Sequence, residues 1–440
     1  MFLPARKILV CYGVLLFSFS SNAQRVGKIK TIVAGVGWAN NSVNTVVFRK
    51  NSLCSFGNTQ YISYYNNDGF VVLGKRKLSS AKWDLQTTNL KGNVTDAHNS
   101  ISIMVDGDGY LHMAWNHHGN QLHYCKSTAP GSLQMTDELS MTGSLEKKVT
   151  YPEFHSLPDG HLLFLYRDGQ SGQGNLVINR YHTKEKQWKQ LHSNLIDGEK
   201  KRNAYWQACV DKKGTVHISW VWRESSDVAS NHDMCYARSA DGGVTWENSK
   251  GEKYNLPINA TTAEYVCRIP EKSELINQTS MYANEEGVPF IASYWKDKGD
   301  SIPQYHVIYN SNNEWQVQNL GLRKTAFSLS GSGTKRIPIS RPQIISWKKD
   351  GKDCVAVIFR DEEWSSKALI AFNIDMAINK WRLDVLTNTS VGSWEPSYDT
   401  ELWKNKKQLN LFVQFTDQKD GEGKADIAPQ PVKVLDIKIK

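Results

Sequence analysis

The chain has 440 residues, of which 40% are hydrophobic, 22% charged and 11% aromatic. That is long and apolar enough to bury a large core, which excludes a disulfide-stapled mini-protein and wholesale disorder. With 15 Trp and 18 Tyr against 13 Pro, the composition favours a sheet-rich globular protein. The formal net charge is +9, or about +7 once Arg6 and Lys7 are removed. A surplus of that size suits solubility or an acidic partner. No basic cluster or reader motif points to nucleic acid, and an acidic polysaccharide fits better.

Residues 1–23 read as a secretory signal peptide. Arg6 and Lys7 form a positive head, Ile8 to Phe19 is apolar, and Ser21, Asn22 and Ala23 are small residues before Gln24. No cysteine stands at the cleavage point and no later run is long enough for a membrane helix. The expected product is a soluble, unanchored, monomeric protein of residues 24–440, periplasmic or secreted. Cys54, Cys125, Cys209, Cys235, Cys267 and Cys354 are widely spaced without a CxxC pair. Several lie in strand-like runs, and most are expected to be buried free thiols acting as small hydrophobes, without a zinc site.

From Gly57 onward a unit recurs: a Gly or Asp-Gly turn, an alternating aromatic strand, a second strand, then often a Trp. Copies open at Gly57, Asp106-Gly107-Asp108-Gly109, Pro158-Asp159-Gly160, Lys213-Gly214, Gly287, Gly351 and Asn405. Alternation within them is of strand type: Val216, Ile218 and Trp220 point one way, His217 and Ser219 the other. Seven such units have propeller periodicity. The run Ser239-Ala240-Asp241-Gly242-Gly243-Val244-Thr245-Trp246 looks like an Asp-box, a hairpin turn with a packing Trp. Lys28 to Lys50 and Pro431 to Lys440 are strand-like, so the ring is expected to close by pairing the termini. The predicted fold is all-β: a single seven-bladed β-propeller domain with ring closure by terminal strands.

The residues that could do chemistry sit at strand ends. His98 and His118 lie twenty residues apart, flanking one strand pair. Tyr151 opens the next unit, Arg167 ends its first strand, and Arg223 occupies the same place one unit later. Such ends converge at one mouth of a propeller. Two histidines, a tyrosine and two arginines suit a uronic acid: arginine pairs with the carboxylate, which acidifies the neighbouring C–H, and a neutral histidine or a tyrosinate removes the proton. Negative charge then builds where the arginines hold it, and a second histidine or tyrosine protonates the departing oxygen. The result is β-elimination, with no cofactor required. Hydrolysis would instead use a carboxylate pair, for which Asp361-Glu362-Glu363 and Glu395 are the candidates.

The runs Ala97-His98-Asn99-Ser100, Tyr151-Pro152-Glu153-Phe154, Gly172-Gln173-Gly174-Asn175, Arg202-Asn203-Ala204-Tyr205-Trp206-Gln207 and Trp220-Val221-Trp222-Arg223 resemble the secreted seven-bladed propeller enzymes that release L-rhamnose capping α-1,4-linked glucuronic acid in arabinogalactans. The resemblance covers nearly the whole mature chain. It implies a lyase, similar in broad plan to ulvan lyases, with His98, His118, Tyr151, Arg167 and Arg223 as catalytic residues. His117, Tyr205, Trp206, Asn44 and Phe48 are expected to bind substrate, an acidic glucuronate-containing glycan. The same family includes α-L-rhamnosidases that use one histidine near the first propeller strand. This chain has none before His98 and offers Asn44, Phe48 and Arg49 in that segment. The alternatives are therefore an α-L-rhamnosidase hydrolysing the same linkage, or a weak or inactive homologue that binds the glycan. The resemblance also implies a structural calcium ion in the central channel, with ligands the sequence does not identify.

Overall fold

A computed structural model describes residues 26–48 and 50–439. The signal-peptide segment and Arg49 lie outside the described residues. Among the described residues the strands form seven sheets, which are the seven blades of a propeller. Blade 1 contains Leu53–Phe56, Thr59–Tyr65, Phe70–Lys77 and Asp84–Lys91; blade 2 contains Ile101–Val105, Leu111–Trp115 and Tyr124–Lys126. Blade 3 contains Val149–Ser156, Leu162–Asp168, Asn175–His182 and Gln187–His192, and its first strand also pairs with the short strand His118–Asn120. Blades 4, 5 and 6 begin at Asn203–Val210, Ser280–Ala283 and Gln343–Lys349. First strands of neighbouring blades pack against one another around the axis.

Blade 7 contains Ser397–Tyr398, Leu409–Val413 and Gln430–Ile439, and its fourth strand is Val26–Gly37 from the start of the described chain. Ile29 pairs with Ile437 and Gly37 with Gln430 in an antiparallel register. The two termini thus lock the ring, as the strand-like ends predicted, so the circular stack of blades has no open joint. The helix Thr400–Lys406 sits between the first two strands of blade 7, and the Asp399 side chain caps its start through Leu402 N–H at 2.9 Å.

Two sequence readings need adjustment. The conspicuous turns do not open the blades but join first strand to second, so each blade starts one strand earlier than its turn. The alternation in Val216–Arg223 does not separate a buried from an exposed face either. Val216, His217, Ile218, Ser219 and Trp220 are all buried, because each blade is covered on both sides by its neighbours. The buried histidines of these strands are satisfied internally. His217 joins Asp211 and Tyr236 at 3.4 and 2.8 Å, and His112 joins Asp106 and Tyr124 at 3.1 and 2.7 Å. These repeated Asp–His–Tyr sets tie the first-to-second-strand turn to the third strand. The Asp-box is a turn of the expected kind: Asp241 accepts from Val244 N–H and Thr245 N–H at 3.0 and 2.9 Å, and Trp246 is buried beneath it. The six cysteines are free.

Candidate active site

His98, His118, Tyr151, Arg167 and Arg223 line one cavity of about 310 Å³. It lies at the mouth where first strands begin and second strands end. Arg167 is the last residue but one of the second strand of blade 3, opposite Thr150, and Arg223 ends the second strand of blade 4, opposite Asn203. Neighbouring positions at the same strand end of two adjacent blades thus deliver two guanidiniums to one place.

Tyr151 enters through a distortion. The register jumps from Thr150↔Arg167 to Glu153↔Leu165, so Tyr151 and Pro152 form a bulge, and Tyr151 has φ 56. Pro152 has no N–H to lose from the ladder, so it tolerates the bulge, which re-aims the tyrosine. A left-handed non-glycine residue costs of order 1–3 kcal/mol, which surrounding contacts must offset. The Tyr151 ring lies 4.8 Å from Phe48 and 6.1 Å from Tyr205, with the Arg167 guanidinium 4.9 Å from its centre.

Asp96 organises the histidines. Its Oδ1 lies 2.9 Å from His98 Nδ1 and accepts from the His98 backbone N–H at 2.9 Å, while its Oδ2 lies 2.6 Å from His118 Nδ1. The two rings stack 4.0 Å apart at 14°, with Phe48 on the other side of His98 at 5.1 Å. Burial would raise the Asp96 carboxyl, but hydrogen bonds from His118 and His98 outweigh it and hold the group far below the usual carboxylate range. An ionised Asp96 only accepts, so each imidazole carries its proton on Nδ1 and keeps Nε2 as a base. Burial lowers the His98 pKa against the opposing pull of Asp96, which favours the neutral ring.

Arg167 is only 5% exposed, and its Nε and Nη1 have no hydrogen-bond partner. Its stem lies against Gly174, where a Cβ would collide with Arg167 Cγ and Cδ. Arg223 differs: it donates to the carbonyls of Ser225 and Ser226 and stacks over Tyr205 at 5.4 Å. The two phenols respond oppositely. Burial, then Tyr205, push Tyr151 up despite the nearby arginines, so it stays protonated. Burial acts on Tyr205 in the same sense, but Arg167 and Arg223 outweigh it and bring its pKa below the ordinary phenol value.

Three expected substrate contacts are not in the cavity wall. His117 is fully buried and accepts from His123 N–H at 2.7 Å. Asn44 is buried and spent on backbone, donating to the carbonyls of Trp38 and Tyr65 at 3.1 and 2.9 Å and accepting from Tyr65 N–H at 2.8 Å. Trp206 packs behind Tyr151 and donates to Glu153 at 2.8 Å. Tyr205 and Phe48 do line the cavity. The sequence reading missed Asp96, although it stands in the same short run as His98. It also missed Arg341, which pairs through two hydrogen bonds of 2.8 and 2.7 Å with Glu395 beneath Phe48.

That pairing removes Glu395 as a free carboxylate, and Asp361 is likewise engaged by Arg323. The only other acid in the cavity wall is Glu422, which accepts from Thr334 N–H at 2.9 Å. The wall therefore offers no free carboxylate pair for hydrolysis among the described residues. Asp96, His98 and His118 also form the group best spaced for a metal. Near-parallel rings send their in-plane lone pairs along parallel lines, which suits the two oxygens of a carboxylate better than one ion. At the far end of the central channel Lys50 and His155 stand with Glu401 and Ser280, and the buried Lys50 amine donates to Thr279 O at 3.0 Å. Burial lowers the Lys50 pKa against the pull of Glu153 and Glu395. Calcium prefers several unpaired oxygens, and Ser280 Oγ is the wall oxygen left without a partner there among the described residues.

The fold and mouth define a β-propeller with an imidazole-lined, cationic pocket. Residues 59–322 match the family described as BNR repeat-containing family member, and the chain belongs to that family. A long-isoform ulvan lyase of Alteromonas sp. is 25% identical over 294 residues, 53% of this chain and 29% of that protein. A short-isoform ulvan lyase of Alteromonas sp. (strain LOR) is 30% identical over 139 residues, 27% of this chain and 26% of that protein. The matched stretch thus spans less than a third of these curated relatives. The polysaccharide lyase Uly1 superposes with a TM-score of 0.65 at 15% identity, covering 94% of this chain and 99% of that one. A PL25 ulvan lyase bound to -[GlcA(1-4)Rha3S]- also gives 0.65, at 12% identity over 92% and 95%. These two structures share the fold. Among the described residues no helix is long and apolar enough to cross a membrane.

Proposed function

We propose that the protein is an exported polysaccharide lyase that cleaves rhamnose–glucuronate linkages by β-elimination, removing L-rhamnose caps from α-1,4-linked glucuronic acid. The observation that carries this reading is Arg167, a buried guanidinium in the cavity wall beside two stacked imidazoles, with two donor atoms left without a partner. An uncompensated buried charge is costly, and a substrate carboxylate is the group that relieves it. The lyase names of the sequence relatives support the same chemistry.

The glucuronate carboxylate pairs with Arg167, and Arg223 adds positive charge. Neutralisation acidifies the C5 proton, which Nε2 of His98 or His118 removes. The C4–O bond breaks as the C4=C5 double bond forms, and Tyr151, held protonated by burial, donates to the departing rhamnose oxygen. The products are free rhamnose and a 4,5-unsaturated uronate. Tyr205 is a second candidate base, favoured by its lowered pKa between the two arginines. A Tyr205→Phe variant with normal turnover removes it from the chemistry.

The test is a rhamnose-capped glucuronate oligosaccharide assayed for rhamnose and for the ultraviolet absorbance of the unsaturated uronate together. Both should rise in step. Rhamnose release without the chromophore, with label from isotopic water in the products, overturns elimination in favour of hydrolysis. Calorimetric binding without any turnover would instead make the chain a glycan-binding propeller.

A further inference from the structure

The imidazoles, Tyr151, Arg167 and Arg223 come from blades 2 to 4, but part of their support comes from the entries to blades 1, 6 and 7. His98 belongs to residues 92–100 and Phe48 to residues 38–48, and neither run contains a strand or helix. No ladder therefore fixes either ring. Asp96 sets where His98 Nδ1 points, yet a hydrogen bond tolerates some tilt of the ring behind it. A flat face packed against the ring removes that tilt. His118 covers one face at 4.0 Å and 14°, and Phe48 covers the other at 5.1 Å and 16°. His118 hangs on the same carboxylate as His98, so Phe48 is the independent stop.

Phe48 is itself seated by a buried ion pair. The Arg341 guanidinium lies over its ring at 4.5 Å. Glu395 accepts from Arg341 Nε and Nη2 at 2.8 and 2.7 Å, from the Arg341 backbone N–H at 3.1 Å and from Val47 N–H at 2.8 Å. The Glu395 backbone N–H donates to Thr45 O at 3.1 Å. Arg341 and Glu395 each stand two residues before a first strand, Gln343–Lys349 of blade 6 and Ser397–Tyr398 of blade 7. One carboxylate thus ties the segment carrying Phe48 to the entries of two other blades. Both side chains are buried. Such a pair often adds nothing over apolar residues of similar volume, so stability alone does not account for it. A bidentate fork does hold its partners in one geometry.

We propose that Glu395 and Arg341 are positioning residues for proton abstraction: their pair seats Phe48, and Phe48 aligns the His98–His118 stack. This rests on the lyase reading above and gives Phe48 a role through His98 rather than toward the sugar.

Two replacements reach the same link from opposite ends. Phe48→Leu removes the flat face. Arg341→Met combined with Glu395→Leu keeps bulk and net charge but removes the tether at Val47. On the capped oligosaccharide, read by uronate absorbance, each should lower kcat by about 10–10²-fold, the cost of a base displaced by a fraction of an ångström to an ångström. KM should hold, because Arg167 and Arg223 are untouched. All three substitutions together should cost no more than either replacement alone, since both act through one ring. A smaller folded fraction would mimic a lower kcat, so the second readout is the His98 titration. It is followed by NMR without substrate and assigned from the signal lost in His98→Gln. Burial lowers the His98 pKa; opening the Phe48 face admits water, so the titration and the acid limb of kcat/KM should move to higher pH in both variants. The other titratable groups facing His98 are Asp96, His118, Glu422 at 3.5 Å and Tyr151 at 6.0 Å between rings, and neither variant alters them. If Phe48→Leu does not fold, the pair replacement carries both readouts. An unshifted titration in a folded variant that turns over normally overturns the proposal. A rise in KM alone makes Phe48 a sugar contact and overturns it as well. Additive losses break the route from the pair through Phe48. If the wild-type protein yields no unsaturated uronate, the lyase reading falls and the role in proton abstraction with it, whereas a titration that stays put in an active enzyme sinks the positioning role alone.

Discussion

Replacing Asp96 by Asn tests the core of the proposed mechanism with almost no change in shape. The carboxylate receives three hydrogen bonds, from His98 Nδ1, the His98 backbone N–H and His118 Nδ1, the last at 2.6 Å. An amide has one acceptor oxygen and one NH₂ group. If its oxygen stays with His98, the NH₂ faces His118 Nδ1 and drives that imidazole to the tautomer protonated at Nε2. One of the two bases is lost, and the other loses a charge-assisted bond. Such a bond contributes about 1.5–3 kcal/mol, and a positioned general base about 10²–10⁴ in rate. The expected outcome for Asp96→Asn is a fall in kcat of about 10²–10³ with KM little changed, because Arg167 is untouched.

The pH dependence adds a sign. Burial lowers the His98 pKa and Asp96 partly opposes it, so loss of the anion lowers it further. If His98 is the base, the acid limb of kcat/KM moves to lower pH in the variant. Stability should move as well. The Asp96 pKa is depressed in the folded state, so its contribution is present above the ordinary carboxylate pKa and is lost as pH falls through the folded value. The stability gap between wild type and variant should be full at neutral pH and close in strong acid. Steady-state kinetics on the capped oligosaccharide, read by uronate absorbance, is the assay. Near-wild-type kcat/KM in a folded Asp96→Asn protein would refute the role given to the histidine pair.

Three further outcomes are expected. Arg167→Ala should lose about 2–5 kcal/mol of transition-state stabilisation, the cost of truncating a buried charge partner, and Arg167→Lys should not restore it, since a point charge cannot replace the planar fork; normal kcat/KM in either would move the carboxylate site elsewhere. Tyr151→Phe should lower kcat by about 10²–10⁴ through loss of the proton donor while any residual product stays unsaturated, and steady-state kinetics at several pH values will show whether the deficit persists throughout. Gly174→Ala leaves every polar group in place but pushes a methyl into the Arg167 stem, so KM should rise; an unchanged KM would mean that the guanidinium position is not set by that contact.

Much of the fold was legible because propeller blades repeat a loud signal: an Asp- or Gly-bearing turn followed by an alternating aromatic strand. The same loudness displaced the phase, since the turn lies inside each blade while the quieter first strand precedes it. The chemical residues were legible where geometry repeats, as with Arg167 and Arg223 at equivalent strand ends. They were misread where neighbours in sequence face opposite ways. His118 reaches the mouth while His117 turns into the blade next to Asn116, whose φ is 64, and Tyr205 faces the cavity while Trp206, one residue on, faces away as a strand requires. Arg341 left no signal, because nothing local in the connection 320–342 says that it will reach across to blades 4 and 7.

The two ends of the ring differ in a way that bears on function. At the turn end of blades 2 and 4, buried polar groups are matched: Asp106 with His112 and Tyr124, Asp211 with His217 and Tyr236. At the mouth, costs accumulate within a few ångströms. Arg167 is buried without a counter-ion, Tyr151 holds a left-handed backbone, and His98 is desolvated until its proton is disfavoured. Each costs stability, and nothing in the fold requires them together. Local features that oppose folding persist where the rest of the structure over-determines them, and they gather at functional sites. An anionic sugar entering this mouth would relieve one of these costs, the bare guanidinium, and would place its C–H beside His98, whose neutral form burial already favours. Binding and proton abstraction are therefore prepared by the same burial.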